Sequence, residues 1–289
     1  MAVVINAAQG GLTKLSPRIA FFDVDGTLLN DRHEMADADV LAVRGLGQAG
    51  VFSALATVRS WFAARNLAKR LSISAPSILC AGALVVNPEN GEILLQRAMP
   101  PQNLEPLLED ARAKNLYVEV FTVDNYFTET LNRYSEIHAG YLGSKPQLSS
   151  FKDVLSNTAV LKLELMAEGP VAQAEIRRLV AKYPLLQWNM AAGAKHPDIV
   201  FANVTSLDAT RESAFHVVLN HLGLTANDTL CFGDSGADIP MFRLCAHSVA
   251  MGNAPESVRE KANFVTLPVS SAGVAYAIKT LIKGDLESP

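Results

Sequence analysis

The segment Phe21-Phe22-Asp23-Val24-Asp25-Gly26-Thr27-Leu28-Leu29 decides the fold of this chain. It follows the apolar residues Ile19-Ala20, and a short apolar run bounded by turn residues is typical of a fully buried strand. The strand ends on two carboxylates, Asp23 and Asp25, and then on Gly26. Ligands of open α/β sheets bind just beyond the carboxyl ends of the strands, so the segment predicts a ligand site that contains two acids.

The residues that follow alternate between helix-like and strand-like patterns. Helices are predicted over about 36–48 and 60–71, and strands over 51–56 and 77–80. This β-α-β-α-β order predicts a doubly wound, Rossmann-like parallel sheet, which is an α/β fold. The same pattern resumes near the end of the chain, where the predicted elements are a helix at 206–222, strands at 229–232 and 248–251, and a last helix at 272–283.

Between these two parts, the pattern changes from parallel to hairpin-like. The turn sequence Asn87-Pro88-Glu89-Asn90-Gly91 separates two apolar runs and predicts a β-hairpin. Further strands alternate with two helices up to about residue 193, which predicts an inserted α+β module. The predicted domains are a flexible N-terminal extension at 1–17, a core at 18–83 and 193–289, and an inserted cap at 84–192.

The composition predicts a globular protein without a nucleic-acid or membrane surface. The 289 residues are 49% hydrophobic and 19% charged, with a net charge of -4. Nucleic-acid binding would require a basic patch, and no apolar run approaches the roughly 20 residues of a transmembrane helix. The start of the chain lacks the pattern of a signal peptide. Cys80, Cys231 and Cys245 have no metal-ligand spacing, so we expect buried free thiols in a reducing cytoplasm.

Polar residues collect at the predicted element ends, namely Asp23, Asp25, Thr57, Arg211, Asp234 and Asp238. In this order and on this fold pattern, they resemble the haloacid dehalogenase-like hydrolase superfamily. The hairpin-led insertion resembles its Cof-type branch, which carries a large α/β cap. The segment Met251-Gly252-Asn253-Ala254 strengthens the match, and the resemblance covers about 18–282.

The resemblance implies a Mg²⁺-dependent phosphohydrolase that acts through an aspartyl-phosphate. Asp23 would attack phosphorus, while Asp25 would protonate the leaving alcohol and then activate water. The family's substrates are small phosphorylated metabolites, usually sugar phosphates, and we expect a monomer or a small homo-oligomer. The implied phosphate-binding residues are Thr57, Val58 and Arg211, of which Arg211 is also catalytic, and the implied metal-site residues are Asp23, Asp25 (through its backbone carbonyl), Asp234 and Asp238.

Four positions depart from the family pattern. Val58 replaces a glycine and disfavours positive φ, and Arg211 replaces a lysine with a planar fork. Ala81 and Ala237 each replace an asparagine. Because both acids remain, we favour a working phosphatase. The alternatives are a non-catalytic protein that binds or senses a phosphorylated metabolite, and a phosphomutase that returns the phosphate to its substrate.

The predicted cap would cover the strand ends and contact the leaving group. The candidate contacts are polar residues on loops near the cap or its return to the core, namely Tyr126, His138, Lys195 and His196. Nothing in the sequence selects one phosphate ester over another.

Overall fold

The computed structural model describes residues 3–4, 14–193 and 195–282. Its strands are β1 (Val3–Val4), β2 (Ile19–Phe22), β3 (Phe52–Leu55), β4 (Ser77–Leu79), β5 (Leu84–Val86), β6 (Ile93–Gln96), β7 (Tyr117–Phe121), β8 (Tyr126–Thr128), β9 (Gln147–Leu148), β10 (Lys162–Glu168), β11 (Leu186–Ala192), β12 (Ile199–Ser206), β13 (Thr229–Gly233), β14 (His247–Ala250) and β15 (Phe264–Val265).

The helices lie between these strands. They are α1 (Asp37–Gly45), α2 (Trp61–Leu71), α3 (Pro101–Ala113), α4 (Arg133–Leu142), α5 (Phe151–Asn157), α6 (Gly169–Lys182), α7 (Arg211–Leu222), α8 (Ile239–Leu244), α9 (Glu256–Arg259) and α10 (Gly273–Leu281). Short 3-10 turns occur at Leu46–Ala49, Cys80–Gly82, Ala226–Asp228, Gly236–Asp238 and Val269–Ser271. Among the described residues, none of these helices is long and apolar enough to cross a membrane.

The core sheet has the strand order β1-β15-β14-β13-β2-β3, and all of its pairs are parallel. Successive residues of β2 point to opposite faces, because side chains alternate along a strand. Ile19 and Phe21 join one hydrophobic cluster, whereas Ala20 and Phe22 join the other, and all four are fully buried. Helices therefore cover both faces, as a parallel sheet requires, and the predicted doubly wound fold is confirmed.

The hairpin of β5 and β6 packs on the core, which differs from the predicted start of the cap at residue 84. It forms a small antiparallel sheet in the order β4-β5-β6. Val85 lies in the same hydrophobic cluster as Phe215 of α7. The strand β4 meets the parallel sheet through a bridge between Ala56 and Ile78. The apolar runs predicted β4, β5 and β6, but they did not specify which sheet each of these strands joins.

The cap has its own sheet, in the order β11-β12-β10-β7-β8-β9. Strand β12 pairs antiparallel with both β10 and β11, so it belongs to this sheet although the prediction returned the chain to the core at residue 193. After β11, the chain turns back and forms β12, which runs antiparallel to β11 before the chain leaves the cap. The cap's hydrophobic cluster extends from Met99 to Val204 and packs under α3 and α6. We therefore place the cap at about residues 99–206.

Of the predicted flexible extension at 1–17, the structure describes residues 3–4 and 14–17, which contact the core, and residues 1–2 and 5–13 lie outside the described residues. β1 pairs with β15 in parallel. The backbone N–H of Leu15 donates to the carbonyl of Leu281 at 2.6 Å, which attaches this segment to α10. The three cysteines are buried and free, as predicted, and burial raises the pKa of Cys80 to about 11.

Asp39 connects α1 to the first turn of α10. Its Oδ1 accepts from the backbone N–H of Ala275 at 2.7 Å, while its Oδ2 is buried without a hydrogen-bond partner among the described residues. The side chain is fully buried. Burial raises the pKa of Asp39 to about 6, against the opposing effect of the Ala275 hydrogen bond. The folded protein therefore holds this proton more tightly than the unfolded chain.

We predict that Asp39→Asn stabilises the protein above pH 7. Because the folded-state pKa is raised, the stability contributed by the protonated carboxyl is present below about pH 4 and is lost as the pH rises through about 6. Asparagine keeps an acceptor for Ala275 and removes the buried charge. The free energy of unfolding in urea at pH 8 should rise by about 1–3 kcal/mol, with little change at pH 4.

The matched control is Asp37→Asn on the same helix, because the Asp37 side chain is 96% exposed. That variant should leave the pH dependence between 4 and 8 unchanged, since exposed charges contribute little to stability. An Asp39→Asn protein that is less stable than the wild type at pH 8 would show that the buried carboxylate is favourable.

Candidate active site

The site lies at the carboxyl ends of three neighbouring parallel strands. Asp23 follows β2, and its backbone N–H donates to the carbonyl of Phe232 in β13 at 3.1 Å. Thr57 follows β3, and Asp234 follows β13 directly. Because the strands are adjacent and in register, their ends meet at one edge of the sheet. The structure thus brings together residues that are far apart in the sequence.

Asp23, Asp234 and Asp238 form a carboxylate cluster whose ligand oxygens all lie within 4.8 Å of one another. Asp23 and Asp238 are buried, with 8% and 1% of their surface exposed. Burial first, and then the charge of Asp238, raise the pKa of Asp23 well above its usual range. The same two causes raise the pKa of Asp234 to about 7. The cluster therefore concentrates negative charge where water cannot screen it.

The cluster fits a hard divalent cation. Its donors are all carboxylate oxygens, which Mg²⁺ and Ca²⁺ prefer. Oδ1 of Asp234 is buried and has no hydrogen-bond partner in the described part of the chain, which leaves a buried acceptor available to a ligand. A cation there would also offset the repulsion that raises the pKa of Asp23. Asp23 and Asp234 are the residues best placed to hold it.

Asp238 is less available to a cation than Asp23 and Asp234, because its oxygens already accept several hydrogen bonds. Oδ2 accepts from the backbone N–H groups of Asp234 at 3.0 Å and Ser235 at 2.9 Å. Oδ1 accepts from Nη1 of Arg211 at 2.9 Å. Gly233 permits this approach, since a Cβ there would lie 2.4 Å from Cβ of Asp238. Asp238 therefore fixes the loop that carries Asp234.

Arg211 is the first residue of α7 and lies between two of these acids. Its Nη1 donates to Asp238, and its Nη2 lies 4.0 Å from Oδ1 of Asp23. Thr210 caps the helix by accepting from the N–H of Ser213 at 3.0 Å, which sets the direction of the first turn. The planar guanidinium reaches both carboxylates at once, which the ammonium of a lysine could do only as a point charge.

Asp25 is held by Arg59, a residue that the sequence prediction did not nominate. Nε and Nη2 of Arg59 donate to the two carboxylate oxygens of Asp25 at 2.8 and 2.6 Å. The Arg59 side chain is 9% exposed, whereas that of Asp25 is 47% exposed. The pair is bidentate, which is the strong geometry for arginine and carboxylate. The sequence signal for Arg59 was its position directly after Thr57 and Val58, the two residues predicted to bind phosphate.

A tight turn after Asp25 is fixed by Asn253. Gly26 has φ +81°, and its N–H donates to the carbonyl of Leu29 at 2.8 Å. Nδ2 of Asn253 donates to the carbonyl of Gly26 at 2.9 Å, and its Oδ1 accepts from the N–H of Val269 at 2.8 Å. The segment that strengthened the family resemblance therefore has a structural role here. It connects the turn after Asp25 to the loop that precedes α10.

The departures from the family pattern differ in their structural cost. The φ of Val58 is not positive, so its branched side chain does not strain the backbone as a positive φ would. Ala81 has φ +57°, a backbone conformation that glycine and asparagine adopt more readily than alanine. Thr57 is fully buried and its Oγ1 accepts from the N–H of Arg59 at 3.2 Å, which leaves its own proton to donate. Ala237 is exposed in the cleft described next.

A cleft of about 560 Å³ separates the carboxylate cluster from the cap. Its core side includes Asp23, Asp25, Val58, Arg211 and Asp234, and its cap side includes Tyr141, Asn189, Met190, Ala191, Ala192 and Asn203. Tyr141 and Asn203 were not predicted, because an isolated polar residue on a helix or strand carries no sequence signal for a site.

The four predicted cap contacts have different positions. His138 lines a smaller cavity that adjoins the cleft. Tyr126 is buried and stacks on Phe62 at 5.3 Å between ring centroids, so it joins the cap to the core. Lys195 donates its backbone N–H to Oη of Tyr141 at 3.0 Å. His196 is in the turn before β12, where its N–H donates to the carbonyl of Gly193 at 3.1 Å.

We predict that Gly26→Ala disrupts the carboxylate cluster. A Cβ at this position would lie 2.1 Å from Oδ2 of Asp234, which forces that side chain to move. We expect the affinity for Mg²⁺, measured by isothermal titration calorimetry, to fall by about tenfold. Substitution of a group that supports a metal ligand typically weakens metal binding by roughly 10- to 100-fold.

The matched control for this prediction is Gly91→Ala. Gly91 has φ +75°, and a Cβ there would have nothing within 4 Å. Both variants share the strain of an L-residue at positive φ, roughly 1–2 kcal/mol, but only Gly26→Ala should weaken cation binding. Equal affinities in the two variants would contradict the assignment of Asp234 to a cation site.

Comparison with known proteins identifies the family. The haloacid dehalogenase-like hydrolase family matches residues 20–278. The HMP-PP phosphatase of Cronobacter sakazakii is 27% identical over 238 residues, which cover 82% of this chain and 85% of that protein. A Bacillus subtilis protein, 5-amino-6-(5-phospho-D-ribitylamino)uracil phosphatase, is 25% identical and covers 91% of this chain and 94% of its own length.

A solved structure supports the same conclusion. The sugar phosphatase of haloacid dehalogenase subclass IIB superposes with a TM-score of 0.77 and 25% identity, over 91% of this chain and 98% of that one. The resemblance stated from the motifs and the α/β architecture with a second, capping sheet are both confirmed. The chain belongs to the haloacid dehalogenase-like hydrolases of the Cof type.

Proposed function

We propose that this protein is a Mg²⁺-dependent phosphohydrolase that acts on a small phosphate ester, preferentially a sugar phosphate, through an aspartyl-phosphate. The observation that carries the proposal is the position of Asp23. It lies within a carboxylate cluster suited to a cation and near Arg211, and it borders the same cleft as Asp25. A nucleophile, a proton donor and positive charge thus converge at one place.

Asp23 is the proposed nucleophile. Its carboxylate oxygen attacks phosphorus, the bond from phosphorus to the ester oxygen breaks, and the leaving alkoxide takes a proton from Asp25. Covalent catalysis of this kind divides one difficult displacement into two easier ones. The bound cation would neutralise the phosphate and the attacking carboxylate, which otherwise repel each other. Arg211 supplies further positive charge next to Asp23.

Asp25 completes the cycle as a general base. Once ionised, it takes a proton from water, whose oxygen attacks phosphorus and releases Asp23 as a carboxylate together with inorganic phosphate. This step requires Asp25 to stay oriented while its proton is exchanged. The bidentate contact from Arg59 provides that orientation, and the exposure of Asp25 to the cleft leaves it accessible to water and to the leaving group.

The comparisons support a small phosphate ester as the substrate. The relatives described above are named as phosphatases, and one of the similar structures is a sugar phosphatase. The cleft of about 560 Å³ is of a suitable size for a phosphorylated metabolite. A protein that only senses such a metabolite would bind it without releasing phosphate, and a phosphomutase would return the phosphate to the substrate.

We predict that Asp23→Asn abolishes the hydrolysis of p-nitrophenyl phosphate in the presence of Mg²⁺. The amide is a poor nucleophile and cannot form the acyl phosphate, so kcat/KM should fall by at least about a thousandfold. The control is Asp31→Asn, which changes an exposed acid that borders the same cleft and should retain activity. Wild-type turnover by Asp23→Asn would overturn the mechanism.

We predict that Asp234→Ala raises the Mg²⁺ concentration required for half-maximal activity by about tenfold or more. The substitution removes the buried, unpartnered Oδ1 that fits a cation, and Asp23 alone would hold the cation weakly. The activity is titrated with Mg²⁺ in the variant, in the wild type and in Asp31→Ala. An unchanged titration in Asp234→Ala would count against the proposed ligand.

A further inference from the structure

We propose that Lys162, Glu164 and Asn203 form a leaving-group subsite in the cap, and that this subsite selects an uncharged leaving group which donates a hydrogen bond. The proposal rests on the proposed phosphohydrolase function and adds the chemistry of the group that leaves. It is carried by the strand register of the cap, by a cavity next to the cleft, and by the way in which the buried charges are paired.

The register of the cap sheet places these residues on one face. Glu164 of β10 is paired with Asn203 of β12 and with Glu119 of β7. The neighbours of Glu164 in β10, Leu163 and Leu165, lie in the hydrophobic cluster under the cap helices. Because side chains alternate along a strand, Lys162 and Glu164 lie on the opposite face, which borders the core.

This face lines a cavity of about 190 Å³ that adjoins the cleft. The cavity and the cleft share Asp25, Val58, Tyr141, Ala191, Ala192 and Asn203. A leaving group attached to a phosphate at Asp23 would therefore pass Asp25 and enter this cavity. Tyr141 and Phe201, whose rings meet edge to face at 5.7 Å, form an apolar wall beside the polar residues.

The charged groups around the cavity are already paired with one another. Nζ of Lys162 donates to Oε2 of Glu164 at 3.1 Å, and both residues are at most 3% exposed. Nδ1 of His138 lies 2.5 Å from Oε2 of Glu119, and Arg59 holds Asp25. Among the described residues that line the cavity, no charged side chain is left without a partner, so a further buried charge would find no free counter-charge in this lining. An unpaired buried charge is strongly disfavoured. The cavity therefore favours an uncharged group.

Asn203 adds the requirement that the leaving group carries a hydrogen-bond donor. Its Nδ2 donates to Oε1 of Glu164 at 3.0 Å, and because a carboxylate accepts but does not donate, the amide must present its nitrogen there. Oδ1 of Asn203 is then buried, without a hydrogen-bond partner among the described residues. Buried acceptors are normally satisfied. A hydroxyl of the leaving group would supply the donor, and Lys162 has protons left for the oxygens of a polyol.

The experiment compares glucose 6-phosphate with 6-phosphogluconate, which carries a carboxylate at the far end of the leaving group. We expect the wild type to prefer the uncharged ester in kcat/KM by about tenfold or more, since one unpaired charge outweighs a hydrogen bond. Where turnover is slow, each ester is measured as a competitor of p-nitrophenyl phosphate hydrolysis. If the uncharged ester neither reacts nor competes, the proposal is overturned.

Glu164→Gln tests the charge pairing directly. The variant leaves Lys162 without its anionic partner, so the preference should move toward 6-phosphogluconate by about tenfold. The control is Glu168→Gln on the same strand, because Glu168 is exposed and pairs with Arg133 outside the cavity. The proposal would be overturned if the ratio of kcat/KM for glucose 6-phosphate to that for 6-phosphogluconate were equal in the wild type and in Glu164→Gln.

Asn203→Ala provides a second test that keeps the pair of Lys162 and Glu164 intact. It should lower kcat/KM for glucose 6-phosphate by at least about threefold more than for p-nitrophenyl phosphate, which offers no hydroxyl donor in its leaving group. An equal loss for both esters would contradict the role of Asn203. If the wild type hydrolyses p-nitrophenyl phosphate but shows none of these preferences, the subsite fails while the phosphatase function stands.

Discussion

The buried repulsion among three carboxylates is the constraint on which the rest of the site depends. Asp23 and Asp234 follow neighbouring strands, and Asp238 lies in the 3-10 turn after Asp234, so the three carboxylates come within 4.8 Å of one another. Arg211 offsets part of this repulsion, yet the pKa of Asp23 remains raised by burial and by Asp238. Protonation or a bound cation would relieve this repulsion, so the proposed cation binding and the ionisation of Asp23 are coupled.

Positive charge is divided between two arginines with separate tasks. Arg211 contacts the cluster through Asp238 and approaches Asp23, whereas Arg59 holds Asp25. The two ion pairs are independent of each other, because Arg211 is the first residue of α7 whereas Arg59 lies between β3 and α2. Asp23 and Asp25, the proposed nucleophile and proton donor, therefore have different charged neighbours although they are only two residues apart. This separation is what two carboxyl groups with different roles require.

The sequence predicted the parts of the site that depend on local pattern. Asp23 and Asp234 were located because each directly follows a short apolar run, and the ends of neighbouring parallel strands must meet. The partners of β4 depend on long-range pairing, which an apolar run does not specify, and β12 was not predicted as a strand. Arg59 and Asn203 were missed for a related reason. Their importance comes from contacts with residues distant in the sequence, Arg59 with Asp25 and Asn203 with Glu164, and a single sequence contains no record of those contacts.

Aromatic stacking joins the cap to the core. Phe62 of α2 stacks on Tyr126 with 4° between the ring planes, and Tyr126 lies 5.1 Å from Phe121. Nζ of Lys162 lies 4.2 Å from the centroid of Phe121. The charged residues of the cap cavity therefore begin directly beside the aromatic stack. Since the cap has its own hydrophobic cluster, residues such as Asn203 can change on its cleft face without disturbing the core. Substitutions on this face of the cap should therefore alter the proposed selectivity without altering the proposed chemistry at Asp23.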